Sequence, residues 1–286
     1  VDCFSQPTPE NLVDLARRIS DRHFGVGADG LILIERSEIA DAKMRMWNAD
    51  GNYAEMCGNG IRCVGKYLID SQIVKGPEIT VETENGVLQL LANIQEGRVR
   101  SVRVEMGPPV FSGEDIPTTL PGNPPINESI TFQPTRETGD VEETMEVEVT
   151  SVSMGNPHCV LFVEELTDRQ VLGWGPVLER HPKFPKRTNV EFARVLSSQE
   201  IELRVWERGS GETLACGTGA CAAVVAGVLT GRTDRAVTCK LPGGELQVEW
   251  PEEGPVFPFG PAVEVFCGGW ALSGHCDDGA GLDKFA

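Results

Sequence analysis

An internal repeat constrains this chain more than any other feature of its sequence. A shift by 159 positions, without a gap, places Arg45 on Arg204, Trp47 on Trp206 and Cys57 on Cys216, and the glycines that follow the cysteines also coincide. Tryptophan and cysteine are rare residues, so their agreement in register argues against chance. A period this long is not that of a solenoid and indicates two related domains facing each other.

Each copy of the repeat predicts a strand, a glycine-containing loop and a Cys-Gly-x-Gly motif that opens a helix. The helix from Cys216 to Val228 is small and apolar on every face, so it must be buried on all sides, wrapped by sheet. One earlier helix is predicted over Pro9–His23, where leucines recur at helical spacing. Strands outnumber helices and are predicted at Leu31–Ile34, Lys43–Trp47, Glu78–Glu82, Val99–Glu105, Cys159–Val163, Ile201–Trp206 and Leu246–Trp250.

A segment rich in acid and proline separates the two copies. Residues 113–150 hold nine acids, one arginine and five prolines, and so carry a large part of the chain's net charge of −18. We expect a solvated linker or surface insertion without a function of its own.

The overall charge indicates which class of ligand the protein binds, and the cysteine count indicates the compartment in which it works. A strongly acidic chain lacks the basic footprint that nucleic acids and anionic membranes require, so we expect a small-molecule ligand. Nine cysteines are too few for a disulfide scaffold and odd in number. Free thiols fit a reducing compartment, so the cytoplasm is predicted, and a plastid is equally compatible.

Cys57 and Cys216 each precede a helix. A thiol there lies near unpaired backbone N–H groups and the positive end of the helix dipole, which lower its pKa and favour the thiolate. The same N–H groups can hold a carboxylate, and neighbouring glycines let a ligand approach the backbone.

Two such thiols on opposite sides of a cleft suit the inversion of a stereocentre. One thiolate removes the proton from one face and the other thiol returns a proton to the opposite face. The α-hydrogen of an amino acid is weakly acidic, so its carboxylate must be held by oriented donors, and two helix N-termini provide these. We therefore expect neither a metal nor an organic cofactor.

Other interpretations of these motifs fit less well. Neither Cys57 with Cys63 nor Cys216 with Cys221 converges on one zinc ion, since the members lie about 240° and about 140° apart around a helix. Neither motif is a Cys-x-x-Cys redox pair. A disulfide between Cys57 and Cys216 stays open as an inactive oxidised state, and Cys63, Cys221 and Cys239 are predicted as core.

A second glycine pattern, Gly25 to Gly30, matches the dinucleotide fingerprint Gly-x-Gly-x-x-Gly. A helix precedes it and a strand follows, which is the reverse of the order that phosphate binding requires. We interpret it as a tight turn.

At these residues the sequence closely resembles the diaminopimelate epimerase family, whose cofactor-independent members interconvert LL- and meso-diaminopimelate in lysine biosynthesis. The resemblance spans nearly the whole chain. It rests on the motifs His23–Gly30, Asn48-Ala49-Asp50-Gly51, Cys57-Gly58-Asn59-Gly60, Met154-Gly155-Asn156-Pro157-His158, Arg187-Thr188-Asn189-Val190, Trp206-Glu207-Arg208-Gly209 and Cys216-Gly217-Thr218-Gly219.

The resemblance implies a role for each matching residue. Cys57 and Cys216 are the base and the acid, and His158 and Glu207 assist them. The α-carboxylate is held by Gly58, Asn59, Gly217 and Thr218. The distal amino acid group is held by Asn48, Asn156, Asn189, Glu207 and Arg208. That distal group is a zwitterion, which needs both an arginine and acceptor oxygens.

The resemblance also implies an α/β (α+β) fold of two pseudo-symmetric domains, each a mostly antiparallel mixed sheet curled around a central helix. We expect an N-terminal domain at 1–112, a C-terminal domain at 113–260 that includes the insertion 113–150, and a strand near 261–272 that returns to the first domain, with a tail to 286. A homodimer is expected by resemblance only.

The family begins with a strand and a loop of the type His-Gly-Leu-Gly-Asn-Asp-Phe, which the resemblance places just before Val1. We therefore expect weakened substrate binding and one unpaired sheet edge. The insertion and the tail have no counterpart that the resemblance identifies.

Two other functions stay open. A proline racemase-like enzyme shares the architecture but leaves Glu207 and Arg208 without a distal group to bind. A non-catalytic amino-acid-binding or redox-switch protein predicts ligand binding without exchange of the Cα proton. The sequence does not decide the oligomeric state or which cysteine serves which enantiomer.

Overall fold

The computed structural model describes residues 1–54, 57–134 and 143–270. The first half contains α1 (Leu12–Ser20), β1 (Gly30–Glu35), β2 (Ala42–Asn48), β3 (Tyr53–Ala54), α2 (Gly58–Asp70), β4 (Glu78–Thr83), β5 (Gly86–Gln95) and β6 (Arg98–Val104).

The second half contains β7 (Glu128–Phe132), β8 (Met145–Ser153), β9 (Pro157–Phe162), a π-helical segment (Arg169–Trp174), α3 (Gly175–Glu179), β10 (Asn189–Ser197), β11 (Glu200–Glu207), β12 (Gly211–Thr213), α4 (Gly217–Leu229), β13 (Ala236–Leu241), β14 (Gly244–Glu249) and β15 (Phe257–Pro261).

The order of elements confirms the repeat. β1 and β10 begin at Gly30 and Asn189, and α2 and α4 begin at Gly58 and Gly217, each pair 159 positions apart. The strand pairing also repeats. β1 lies antiparallel to β2 and β10 to β11, and the second strand of each pair runs parallel to the strand after the helix, β4 or β13. The sheet is mixed and mostly antiparallel, as expected.

β15 joins the two halves into one sheet. It pairs antiparallel with β14 on one side and with β6 of the first half on the other. The returning strand, which the resemblance placed near 261–272, lies earlier, at Phe257–Pro261, and the apolar Val263, Val265 and Phe266 follow it. These three side chains are exposed and lie outside any strand. The actual strand holds two prolines, Pro258 and Pro261, which weaken its signal in the sequence.

A helix lies against the sheet in each half. Around α2, the side chains of Ile61, Val64 and Leu68 are buried against the first half of the sheet. Around α4, every residue from Ala220 to Ala226 is fully buried, as its uniformly apolar sequence predicted. Burial of each larger aliphatic side chain contributes about 1.5–3 kcal/mol, so both helix positions are firmly held.

The segment 113–150 is not simply a solvated linker. Ile116, Leu120 and Ile130 are buried, and β7 pairs with β8 to extend the sheet. Its apolar side chains pack with Trp174 and Phe192 in a third cluster. In β7 the buried residues alternate with polar ones, and elsewhere in the segment they are isolated, so the high acid and proline content hid them. Residues 135–142 lie outside the described residues, as does the tail from 271.

The outer edge of β1 is partly covered. Asp2 forms a parallel bridge with Ile34, and the Cys3 N–H donates to the Ile34 carbonyl at 2.8 Å. The edge that was expected to be unpaired therefore has a short partner. Within the described ranges, no helix combines the length and apolarity needed to cross a membrane.

Candidate active site

The two Cys-Gly-x-Gly motifs adopt the same local structure. Cys57 and Cys216 are the N-cap residues of α2 and α4, both in extended backbone conformation. The Gly60 N–H donates to Cys57 Sγ at 3.2 Å, and the Gly219 N–H donates to Cys216 Sγ at 3.4 Å. Each thiol therefore occupies the place where a serine or aspartate oxygen caps an ordinary helix.

The two helix N-termini meet face to face. A Cβ atom on Gly58 would lie 3.2 Å from the Cα atom of Gly217, and the reverse distance is also 3.2 Å. Only glycine permits this approach of two backbones. The positive ends of both helix dipoles, and both thiols, are thus brought to one place in the fold.

A buried arginine holds this junction. The guanidinium of Arg62 donates to the Gly58 carbonyl and to Asn59 Oδ1, both at 2.9 Å, and Asn59 Nδ2 donates to the Ala215 carbonyl of the other half at 3.0 Å. The Asn59 side chain, predicted to be a substrate donor, is engaged within the protein, whereas its backbone N–H faces the Cys57 thiol. Sequence reasoning assigned no role to Arg62.

A chain of polar side chains leads to the second thiol. His158 Nε2 contacts Asn156 Oδ1 at 2.8 Å, Asn156 Nδ2 donates to Thr218 Oγ1 at 3.3 Å, and Thr218 Oγ1 lies 3.5 Å from Cys216 Sγ. The structure therefore brings together four residues that were predicted separately from two distant motifs.

The carboxylate Glu191 closes the far end of this chain. Its Oε1 lies 2.7 Å from His158 Nδ1, and both side chains are fully buried. Glu191 was missed in the sequence, although a charged residue between the apolar Val190 and Phe192 in a predicted motif marks it as unusual. The repeat gives a second signal, because it places Glu191 on Ile32.

The residues expected at the distal end of the substrate lie at or next to the ends of strands. Glu207 ends β11 and accepts a hydrogen bond from Thr213 Oγ1, and Asn48 holds the equivalent position at the end of β2. Asn189 is engaged at both ends of its amide, by the Pro157 carbonyl at 2.9 Å and by the Arg208 N–H at 2.8 Å. The Arg208 side chain is exposed.

Burial controls the ionisation of both thiols. It raises the pKa of Cys57, against the opposing effect of the backbone N–H groups of Gly60 and Asn59. The pKa of Cys216 lies well above its ordinary value, first because of burial and then because Glu207 and Glu191 add negative charge nearby. The expectation of lowered pKa values was wrong for the free protein, since the cost of burying a thiolate exceeds the help from the helix ends.

The structure confirms some predictions for the remaining cysteines and the second glycine motif and corrects one. Cys221 and Cys239 are buried as predicted, whereas Cys63 is exposed. The turn from Gly25 to Gly30 lies between α1 and β1, with helix before and strand after. In the part of the chain that the structure describes, no group of three or more side chains is arranged to hold a metal ion.

Several solved structures have the same architecture as this chain. A hydroxyproline epimerase from Agrobacterium vitis superposes with a TM-score of 0.59 at 18% identity, covering 85% of this chain and 75% of that one. A phenazine biosynthesis protein from Bacillus anthracis gives a TM-score of 0.62 at 15% identity, covering 91% and 88%. At these identities the likeness establishes the fold alone, which this chain shares with both proteins.

Sequence comparison then identifies the family. The diaminopimelate epimerase family model matches residues 1–112 and 150–265. A diaminopimelate epimerase of Pelotomaculum thermopropionicum is 52% identical over 269 residues, covering 94% of this chain and 92% of the relative. One from Moorella thermoacetica is 50% identical over 273 residues, covering 95% and 94%. The chain belongs to the diaminopimelate epimerase family, and it is an epimerase.

Proposed function

We propose that this protein interconverts LL- and meso-2,6-diaminopimelate in lysine biosynthesis by a two-base mechanism in which Cys57 and Cys216 are the acid and the base. The observation that carries the proposal is the pair of N-cap thiols on two helices whose glycines are in contact. Each thiol has the same capping geometry, so each can serve one face of a substrate carbon held between them.

The proton balance of the reaction is simple. One cysteine, as thiolate, takes the α-proton and becomes a thiol, while the electron pair left on Cα is delocalised into the α-carboxylate. The other cysteine, as thiol, gives its proton to the opposite face and becomes a thiolate. In this proposal the backbone N–H groups of Gly58, Asn59, Gly217 and Thr218, at the helix ends, bind the carboxylate as its negative charge grows.

The distal amino acid group supplies the substrate specificity. In this proposal Arg208 binds the distal carboxylate and Glu207 accepts from the distal ammonium, with Asn48, Asn156 and Asn189 completing the set. The guanidinium of Arg208 is exposed and makes one long contact, from Nη1 to the Lys186 carbonyl at 3.5 Å. This supports its pairing with an anion. His158 and Glu207 assist the thiols, and the charge of Glu207 reaches both of them.

Other features of the proposal follow from this chemistry. The reaction requires no metal and no organic cofactor, because the helix N-termini stabilise the carbanion. We further propose that the protein works in the cytoplasm, where thiols stay reduced, and forms a homodimer.

The test is isotope incorporation. Reduced protein incubated with LL-diaminopimelate in D2O should incorporate deuterium at Cα and yield the meso isomer, measured by NMR and chiral chromatography. Deuterium in proline instead, supplied in a parallel reaction, would favour a racemase-like activity. Binding of diaminopimelate without any Cα exchange would contradict the proposal and favour a binding or switch protein.

A further inference from the structure

Glu191 is a buried carboxylate that the repeat does not reproduce. The shift of 159 positions places Glu191 on Ile32, and both side chains lie against equivalent glycines. A Cβ on Gly219 would lie 2.9 Å from Glu191 Oε1, and one on Gly60 would lie 2.5 Å from Ile32 Cδ1. The two thiols therefore have matching backbone environments but different neighbours, a carboxylate beside Cys216 and an isoleucine beside Cys57.

The hydrogen bonds around His158 link it to the Cys216 end of the site. With the Asn156 amide oriented so that Nδ2 donates to Thr218 Oγ1, Asn156 Oδ1 is an acceptor for a proton on His158 Nε2. The 2.7 Å contact between His158 Nδ1 and Glu191 Oε1 needs a second proton between them. Glu191 and His158 are thus joined through a proton at the end of the chain of contacts that leads to Cys216.

We propose that Glu191 is a positioning residue of the site, which orients His158 toward Asn156 and makes the two thiols unequal. The carboxylate of Glu191 lies beside Cys216 and opposes ionisation of that thiol, whereas Cys57 has the uncharged Ile32 in the equivalent place. Cys57 is then the thiol that ionises first in the free protein, and Cys216 is the thiol that keeps its proton.

The size of the effect follows from the geometry. Glu191 Oε1 and Cys216 Sγ lie 2.9 Å and 3.3 Å from the same point, the place of a Cβ on Gly219. They are therefore within about 6 Å of each other, where one charge changes an ionisation equilibrium by roughly a hundredfold at an effective dielectric constant of about 20.

Other titratable groups also face Glu191 and Cys216, and the test leaves these residues unchanged. His158 and Cys159 face Glu191 from β9, Glu207 faces it from β11, and Cys216 faces it from the start of α4. Burial and the charge of Glu207 both raise the pKa of the Glu191 carboxyl, whereas His158 lowers it. The replacement Glu191→Gln removes the charge while keeping the shape and a hydrogen bond to His158.

The experiment is limited alkylation of the full, reduced chain with iodoacetamide from pH 6.5 to 10, with Cys57 and Cys216 followed separately by peptide mass spectrometry. In the wild type, Cys57 should react at lower pH than Cys216. In Glu191→Gln, alkylation of Cys216 at pH 9 should rise at least about tenfold, while that of Cys57 stays within about twofold. Glu179→Gln, which removes another buried carboxylate of the same half, should leave the ratio unchanged.

Equal shifts at both cysteines, or no shift at Cys216, would overturn the proposal. The ring nitrogens of His158 give a second measurement that needs no variant, because the chain holds only four histidines. In ¹⁵N spectra of the wild type, Nε2 should carry a proton, and a bare Nε2 would also overturn it. The proposal rests on the two-thiol function, but neither measurement uses substrate, so failure of the epimerase assay and failure here are distinguishable.

Discussion

Replacement of Gly58 by alanine tests the contact between the two helix N-termini. The new methyl group would lie 3.2 Å from the Cα atom of Gly217, which is tighter than an ordinary van der Waals contact. Neither backbone can retreat freely, because Arg62 and Asn59 bind the two halves together at this junction. The helices must therefore separate by a few tenths of an ångström.

Two opposing energies set the expected change in stability. Overpacking of this kind costs about 1–3 kcal/mol, while alanine gains about 0.5–1 kcal/mol over glycine in a helix. A net loss of about 1 kcal/mol lowers the melting temperature of a chain of this size by about 2–4 °C. Because thiols and carboxylate donors move with the helix ends, kcat/KM for diaminopimelate should fall by at least about tenfold.

The assay is differential scanning calorimetry together with chiral chromatography of the product. Gly65→Ala is the matched control on the same helix, since its methyl faces side-chain tips, the nearest being that of Leu90 at 2.9 Å, and not a facing backbone; it should leave kcat/KM nearly unchanged. Gly217→Ala should act like Gly58→Ala, and the double variant should deviate from additivity by at least about 0.5 kcal/mol. Full activity and unchanged melting in both single variants would refute the close approach of the helices.

Three further predictions concern charge and ionisation. Arg62→Met should lower the free energy of unfolding in urea by about 2–3 kcal/mol, because it strands buried acceptors on Gly58 and Asn59, whereas Arg100→Met at an exposed ion pair should change it by less than about 1 kcal/mol. The pKa of buried Cys221 is raised from 9.0 to about 12, so its contribution to the free energy of unfolding is complete below pH 9 and is lost by up to about 1.4 kcal/mol per pH unit above it. In urea titrations from pH 8 to 10.5, the free energy of unfolding should therefore decline less steeply in Cys221→Ala than in the wild type. An equal decline would contradict the assignment. Arg208→Met should raise KM for diaminopimelate by at least about tenfold while sparing the fold, and an unchanged KM would remove Arg208 from the binding set.

The architecture was largely accessible from the sequence because the repeat carries it. One offset of 159 positions aligns strands, helices and both thiols, and the uniformly apolar α4 could only be buried. What the sequence concealed depends on pairing partners far along the chain. The predicted position of β15 was too far along the chain, and its prolines are residues that strands seldom contain. The strand β7 was not predicted because it lies inside an acidic segment.

The sequence motifs predicted residues that the structure brings close together, but not the electrostatics around them. Cys57, Cys216, Asn156, His158 and Thr218 come from motifs that can be read locally. The sign of the pKa shift at the thiols could not be read, because it depends on burial and on Glu191, which arrives from another strand. A local motif predicts the effect of the helix dipole on the pKa of the thiol, but not the larger and opposite effect of burial.

The central claim is that two cysteines share the inversion, and single-cysteine variants test it most directly. Cys57→Ala and Cys216→Ala should each form no detectable meso-diaminopimelate from the LL isomer in D2O, with circular dichroism spectra like that of the wild type. Full inversion by either variant would contradict the two-base mechanism.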